Sequence, residues 1–381
     1  MSDVVGRDLH VARYWKVLKR QSLVLSAERR IGKTHIILKM HEEGHEGFVT
    51  FYQDLEKVHT IPELVRALYN TVDDRLPRLA KAKHKAIDLW SRVVPERKGQ
   101  IALPTARENW KDLLTGAFHD VLEVFRDDGS IVVFLWDELP LMLYNLVRGH
   151  GPDDAIQLLD LLRSIRQSHS ANLRFVFTGS IGLHLVLADL RRRGNANDAT
   201  NDMQQEEVPP LSPADAGTLT TRLLASLGLP PEEPRPMVEQ IVEQIGGFPY
   251  YIHHVVDRLD ADGQPVAVRD VDAAIDDLVH GDHDPAHMSW YAERIPLYYD
   301  PASTSLALHV LDVLARASGP LTRSEIGNLV RHQVPEVADD AIHTVCAMLR
   351  RDHYLTQRSD DRGPTLSFRW PLVKRWWRAN R

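Results

Sequence analysis

The sequence predicts an α/β fold in its first half, a parallel sheet interleaved with helices. An all-α segment follows, and then a C-terminal module of three helices and a β-hairpin. Three observations carry this prediction. A short apolar run ends in a glycine-bearing loop that opens a helix, "QSLVLSAERRIGKTHIILKM" (Gln21–Met40). A second apolar run, "SIVVFLWDELPLML" (Ser130–Leu143), is closed by two acids. Beyond residue 212 the apolar spacing is mostly helical, until "YLTQRSDDRGPTLSFRW" alternates around a turn at Asp360–Gly363.

The first element almost spells the phosphate-binding pattern G-x-x-x-x-G-K-[ST], with Ala27 in place of the first glycine. "QSLVLSA" reads as a buried strand, and "THIILKMHEEG" as a helix that stops at Gly44. Strand, loop and helix is the order a phosphate loop requires. The helix N-terminus offers unsatisfied N–H groups and partial positive charge to an anion. Gly32 lets the backbone approach phosphates, Lys33 would neutralise β/γ oxygens, and the Thr34 hydroxyl would go to Mg²⁺. A methyl group at Ala27 is harmless if its φ is negative and costs about 1 kcal/mol if positive.

The second run carries six apolar residues before Asp137 and Glu138, as a buried parallel strand does. Acids at the carboxyl end of such a strand face the crevice where ligands bind in open α/β sheets. Asp137 is therefore expected to hold Mg²⁺ with Thr34, and Glu138 to orient and polarise an attacking water. A third strand, Leu173–Phe177, ends in Thr178, Gly179 and Ser180; Ser180 or Thr178 would sense a γ-phosphate or cap the helix that follows. "EGFVTFYQDL" (Glu46–Leu55) and "EEVPPL" (Glu206–Leu211) complete five strands.

Composition bounds the function. The chain has 381 residues, 43% of them apolar and 26% charged, which fits two or three globular domains. No apolar run reaches membrane-spanning length and the N-terminus lacks a signal-peptide core, so a cytoplasmic protein without membrane contact is expected. The single cysteine, Cys346 in "TVCAML", reads as a small core residue. A net charge of −7 opposes a general nucleic-acid-binding surface, yet Arg350–Arg381 holds nine Arg/Lys against three Asp/Glu.

"VVGRDLHVARYWKVLKRQSLVLSAERRIGKT" resembles the opening of prokaryotic AAA+ ATPases of the archaeal-type, STAND-related, origin-recognition-like group. Those begin with an apolar-Gly-Arg segment, a helix and a loop of the form G-P-R-R-x-G-K-T. Arg29, Arg30, Gly32, Lys33 and Thr34 match, while Ala27 and Glu28 stand in place of Gly and Pro. "FLWDE" resembles the Walker B strand, "FTGSIGL" the sensor-1 strand, and "QIGGFPYYIHHVVDRL" (Gln244–Leu259) the Gly-x-Pro segment of the helical lid. The resemblance spans residues 4 to 260 or so. It implies an AAA+-type P-loop NTPase core that binds ATP and Mg²⁺ through the loop Ala27–Thr34, including Ile31, and His35 beyond it. It also implies that Val5, Gly6 and Arg7 lie beside the adenine, and that Pro249 approaches the nucleotide from the lid. An arginine of "LRRRGNAND", Arg193 among Arg191–Arg193, would reach a neighbouring subunit's γ-phosphate.

The C-terminal module reads as a winged helix, a domain that often follows the lid in this group. Arg350, Arg351, Arg358, Arg362, Lys374, Arg375 and Arg378 would contact phosphates if it binds duplex DNA, with Trp376 and Trp377 packing or stacking. Alternatively, the module docks on the core or on a protein partner. Two other patterns carry little. "HEEGH" (His41–His45) fits H-E-x-x-H, but Gly44 falls at the helix end, and "HGDHDPAH" (His280–His287) reads as a solvated link. "LPPEEPRP" (Leu229–Pro236) reads as a stiff loop inside the lid.

The expected organisation is an ATPase core over 1–212, a lid over 213–279, a linker over 280–300 and a winged helix over 301–381. The expected function is an ATP-hydrolysing switch acting through assembly or a protein partner. A DNA-binding ATPase and a nucleotide-holding pseudo-ATPase are the alternatives.

Overall fold

In the computed structural model, residues 4–79, 110–226, 234–259, 267–281 and 283–381 are described. They form two compact units: residues 4–26 with 33–208, and 27–32 with 209–381.

The first unit is built on five parallel strands: β1 (Leu23–Ser26), β2 (Phe48–Asp54), β3 (Ile131–Asp137), β4 (Leu173–Phe177) and β5 (Gln204–Glu207). Their spatial order is β2-β3-β4-β1-β5, which places β4 between the loop-bearing and acid-bearing strands. The helices around them are α1 (Asp8–Leu18), α2 (Lys33–Glu43), α3 (Ile61–Leu79), α4 (Trp110–Phe125), α5 (Leu139–His150), α6 (Pro152–Ser168) and α7 (Leu183–Arg192). β3 and β4 are buried along almost their whole length, which is why both read as unbroken apolar runs. Phe134 stacks between Phe51 and Phe175 at 5.2 and 5.6 Å, and Phe118 meets it edge-on at 4.9 Å.

Two buried arginines fix the periphery. Arg174 on β4 donates to the carbonyls of Leu18 (2.9 Å) and Lys19 (3.3 Å), satisfying the C-terminus of α1. Arg166 holds Asp202 through two bonds of 2.9 and 2.8 Å, pinning the chain before β5. That strand differs from expectation, lying at Gln204–Glu207 rather than Glu206–Leu211. Its register against β1 runs from Leu23↔Gln204 to Ser26↔Glu207, and Pro209 and Pro210 supply no N–H to extend it. An edge position tolerates the polar sequence QQEE.

The second unit contains α8 (Pro213–Ser226), α9 (Pro234–Ile245), α10 (Pro249–Leu259) and α11 (Val268–His280). α12 (Trp290–Tyr298) leads into α13 (Pro301–Arg316), β6 (Leu321–Thr322), α14 (Arg323–Arg331), α15 (Asp339–Arg351), β7 (Leu355–Asp360), β8 (Gly363–Phe368) and α16 (Pro371–Asn380). From α13 to β8, three helices and an antiparallel sheet ordered β6-β8-β7 have the arrangement expected of a winged helix, with the hairpin turn at Asp360–Gly363. Thr322 and Glu325 form a reciprocal capping box at the start of α14. Cys346 is a core residue whose thiol burial pushes up to about 11. The stiff lid loop expected at Leu229–Pro236 lies mostly outside the described residues, since 227–233 are not among them.

The expected linker is more structured than a solvated link. Ala286 and Met288 are fully buried, and the Asp284 carboxylate accepts from the amides of Met288 (2.6 Å) and Ser289 (2.8 Å). α16 then fastens the winged helix to the lid. Trp377 is fully buried and donates to Asp312 (2.8 Å), Arg375 bonds Gln244 (3.1 Å) and Asp276, and Asn380 bonds the Val279 carbonyl (2.8 Å).

Between α9 and α10, Gly246 and Gly247 have φ of +71° and +80°, and a Cβ on Gly247 would meet the Leu211 carbonyl oxygen at 2.3 Å. Gly247→Ala should therefore destabilise the protein by at least about 1–3 kcal/mol, read as a lower urea midpoint; an unchanged midpoint would mean the turn has another conformation.

Candidate nucleotide site

The loop's curvature rests on two left-handed residues, Arg30 (φ +68°) and Gly32 (φ +97°). Left-handed residues set among right-handed ones curl a backbone so that successive N–H groups converge on an anion. Any side chain at Gly32 would be strained although the space around it is open. Ala27 does not have positive φ, so the missing glycine carries no conformational penalty. Ile31 is buried and anchors the turn.

Within the first unit, α2 starts at Lys33, whose side chain is only 7% exposed. Asp137, at the end of β3, is buried and accepts from the Glu138 amide at 3.1 Å and from the Thr34 hydroxyl. Burial pushes the Asp137 carboxyl up; the Thr34 and Glu138 bonds and the Lys33 charge oppose this, and the charge of Asp54 adds to it. Glu138 is left-handed at φ +57° and N-caps α5. Its Oε2 accepts from both the amide and the hydroxyl of Ser180, each at 2.9 Å. Burial pushes its carboxyl up as well, while the two Ser180 bonds and Lys33 pull it back. A Cβ on Gly179 would come within 3.3 Å of the same Oε2 and within 2.7 Å of Pro140, so glycine there permits the approach. Thr178 Oγ1 is buried with no hydrogen-bond partner among the described residues.

Lys33, Thr34, Asp137, Glu138 and Ser180 are thus brought together, with Ser180 bonded to the glutamate itself. Thr34 and His35 are exposed at the start of α2. Gly6 turns at φ +71° between half-buried Val5 and buried Arg7, which precedes α1. Arg193 is half-exposed and pairs with Asp189 at 2.8 Å. The two histidines of HEEGH diverge, His41 bonding Thr50 (3.0 Å) and His45 packing at a tilt against Trp15 (5.3 Å).

Within the second unit, the side chains of the loop turn away from a ligand role. Glu28 pairs with Arg294 (2.8 Å), Arg29 lies over Trp290 (4.6 Å), and Arg30 lies over Tyr250 (4.2 Å) while donating to the Ala286 and His287 carbonyls. The Arg29 amide in turn donates to the Glu28 carboxylate at 2.9 Å. Pro249 is the first residue of α10, directly before the Tyr250 that Arg30 covers.

Sequence reasoning missed Asp54 and Tyr52. The register of β2 on β3 sets Asp54 directly beside Asp137, and Tyr52 is raised by burial and by Asp137, Asp54 and Glu138. "FYQD" was legible as a strand end, but strand order was needed to bring it beside β3.

A glycine-bearing loop after β1, acids at the end of β3 and β4 between them give the parallel α/β fold of a P-loop core. Among solved structures, the Walker-type ATPase of Pyrococcus abyssi is similar over 99% of this chain and 96% of its own, with TM-score 0.64 and 15% identity. The ORC2 protein of Aeropyrum pernix in ADPNP–ADP complexes matches with TM-score 0.44 and 11% identity over 98% of this chain and 94% of its own. The assignment of fold rests on the first of these. No protein-family model matches the chain, and no curated protein matches its sequence.

Ser180→Ala removes a hydrogen bond that favours ionised Glu138, so the Glu138 carboxyl should titrate at higher pH in the variant. Carbon-13 NMR of labelled glutamate reads this; an equal or lower titration point would show that the serine hydroxyl does not hold it.

Proposed function

We propose that this chain binds ATP with Mg²⁺ in the loop Ala27–Thr34, hydrolyses it, and uses nucleotide state to switch the lid and winged helix. The observation that carries the reading is the convergence of buried Lys33 and the Thr34 hydroxyl with Asp137 and the Ser180-bonded Glu138.

The residues fit the group they would bind. Thr34 and Asp137 offer hard oxygens that touch one another, the donor type Mg²⁺ takes alongside substrate phosphates. The metal would supply charge neutralisation at the β/γ oxygens. Thr178 Oγ1, buried and without a partner among the described residues, has a hydrogen bond to give at the end of β4. Lys33 would bind phosphate oxygens, and Glu138 would orient the attacking water and accept its proton once released from Ser180. Because burial raises the Glu138 carboxyl, turnover should fall at a higher pH than an ordinary glutamate would set.

A switch acting through protein contacts or self-assembly is favoured by how the winged helix is seated. Of the basic residues available for DNA, Lys374 bonds the Ala317 carbonyl (2.7 Å), Arg375 bonds α9 and α11, and Arg362 pairs with Glu325 (3.2 Å) and Asp360 (2.8 Å). Trp376 and Trp377 are packed inside. α15, which would enter a groove, presents Asp339 and Asp340 at its exposed N-terminus. A second reading, duplex binding, is supported by exposed Arg350, Arg351, Arg358 and Arg378. Arg193 is the proposed residue for contact with a neighbouring subunit's nucleotide.

Glu138→Gln should lower ATP turnover by about 10²–10⁴-fold while ATP still binds, and light scattering with ATP should show a change of mass. Turnover equal to wild type would remove Glu138 from the reaction, and retention of nucleotide without turnover in wild type would indicate a pseudo-ATPase. Under the duplex reading, DNA affinity would fall steeply with salt and be lost in Arg350→Ala/Arg351→Ala/Arg358→Ala.

A further inference from the structure

Glu28 is a negative charge inside a loop whose task is to receive phosphates, and its side chain is fully buried. Its Oε1 accepts from the Arg29 amide of the loop itself (2.9 Å) and from Arg294 Nη1 (2.8 Å). Arg294, on α12 and almost fully buried, continues to the residue that ends α15. Its Nη2 lies 3.4 Å from both the carboxylate and the carbonyl of Asp352, and its guanidinium lies 5.0 Å from the Tyr354 ring. The other Asp352 oxygen accepts from the Tyr299 hydroxyl at 2.8 Å, and Tyr354 donates to the Tyr291 carbonyl at 2.6 Å. One buried polar chain therefore runs from the phosphate loop to the winged helix.

We propose that Arg294 is a positioning residue for the phosphate loop, and that the chain Glu28–Arg294–Asp352 makes nucleotide affinity depend on the seating of the winged helix; this rests on the nucleotide reading above. Two physical arguments support it. A buried carboxylate without its cation would be strongly unfavourable and would repel phosphates at close range in a low-dielectric site. Arg294 removes that repulsion while orienting the carboxylate that holds the Arg29 amide. Buried ion triads contribute little net stability but are costly to break, so their partners tend to move together. Asp352 and Tyr299 fix the far side of Arg294, so unseating α15 releases the guanidinium that the loop needs. Linkage makes the effect reciprocal: nucleotide in the loop favours the seated winged helix.

The test uses the full chain with Asp352→Asn and, as a milder change, Tyr299→Phe. Hydrogen exchange without nucleotide should be faster at the amides of residues 28–32, with β3 unchanged. Affinity for a fluorescent ATP analogue should weaken by about 5–150-fold, the range of a typical coupling. In a Glu28→Gln background, Asp352→Asn should have little further effect, because the charge it helps to neutralise is gone. Loop exchange equal to wild type in both variants would overturn the proposal, as would unchanged affinity in a chain that binds ATP. A wild-type chain that binds no ATP would defeat the nucleotide reading, and the exchange result would then decide the positioning claim alone.

Discussion

A phosphate loop works only if its backbone amides converge, and left-handed residues such as those at positions 30 and 32 are the backbone state that allows it. Glycine meets that requirement freely at 32. Arg30 does not; a non-glycine residue in this region costs about 1–3 kcal/mol unless its surroundings hold it there. The surroundings do: its guanidinium covers Tyr250 and donates to the Ala286 and His287 carbonyls. The loop is thus shaped from outside by side-chain contacts of α10 and the segment before α12. Losing the first glycine of the motif matters little, because Ala27 sits where φ is not positive.

Electrostatics organise the rest of the site. Asp137 and Glu138 are adjacent in sequence, mostly buried and both raised by burial, and Lys33 is the cation whose field opposes those shifts. A divalent cation beside these carboxylates would add to the opposing field of Lys33. Ser180 holds Glu138 through two bonds from one side, giving the glutamate a defined resting position. A second set of buried contacts links Glu28, Arg294 and Asp352.

The strands and the residue types at their ends were legible in sequence because they follow from local rules. Buried parallel strands read as apolar runs, a phosphate loop needs its Gly-Lys-Thr, and acids after β3 stand out against six apolar residues. The three C-terminal helices and the β7–β8 hairpin were legible from amphipathic spacing and a turn at Asp360–Gly363. What escaped depends on contacts distant in the chain. Asp54 reaches Asp137 only through strand order, and Arg294 meets Glu28 across 266 residues of sequence. Glu28 showed only as a departure from proline, with nothing nearby to say that a buried arginine answers it. The segment His280–His287 reads as solvated because its polar letters conceal the burial of Ala286 and the bonds Asp284 makes to the amides that follow.

The central claim is that the curled loop and Lys33 form a working nucleotide site despite Ala27. Equilibrium titration of purified protein with Mg-ATP, compared with Lys33→Ala, tests it most directly. Saturable binding in wild type that is lost or greatly weakened in Lys33→Ala is the predicted result. No binding in wild type, or equal binding in both, would contradict it.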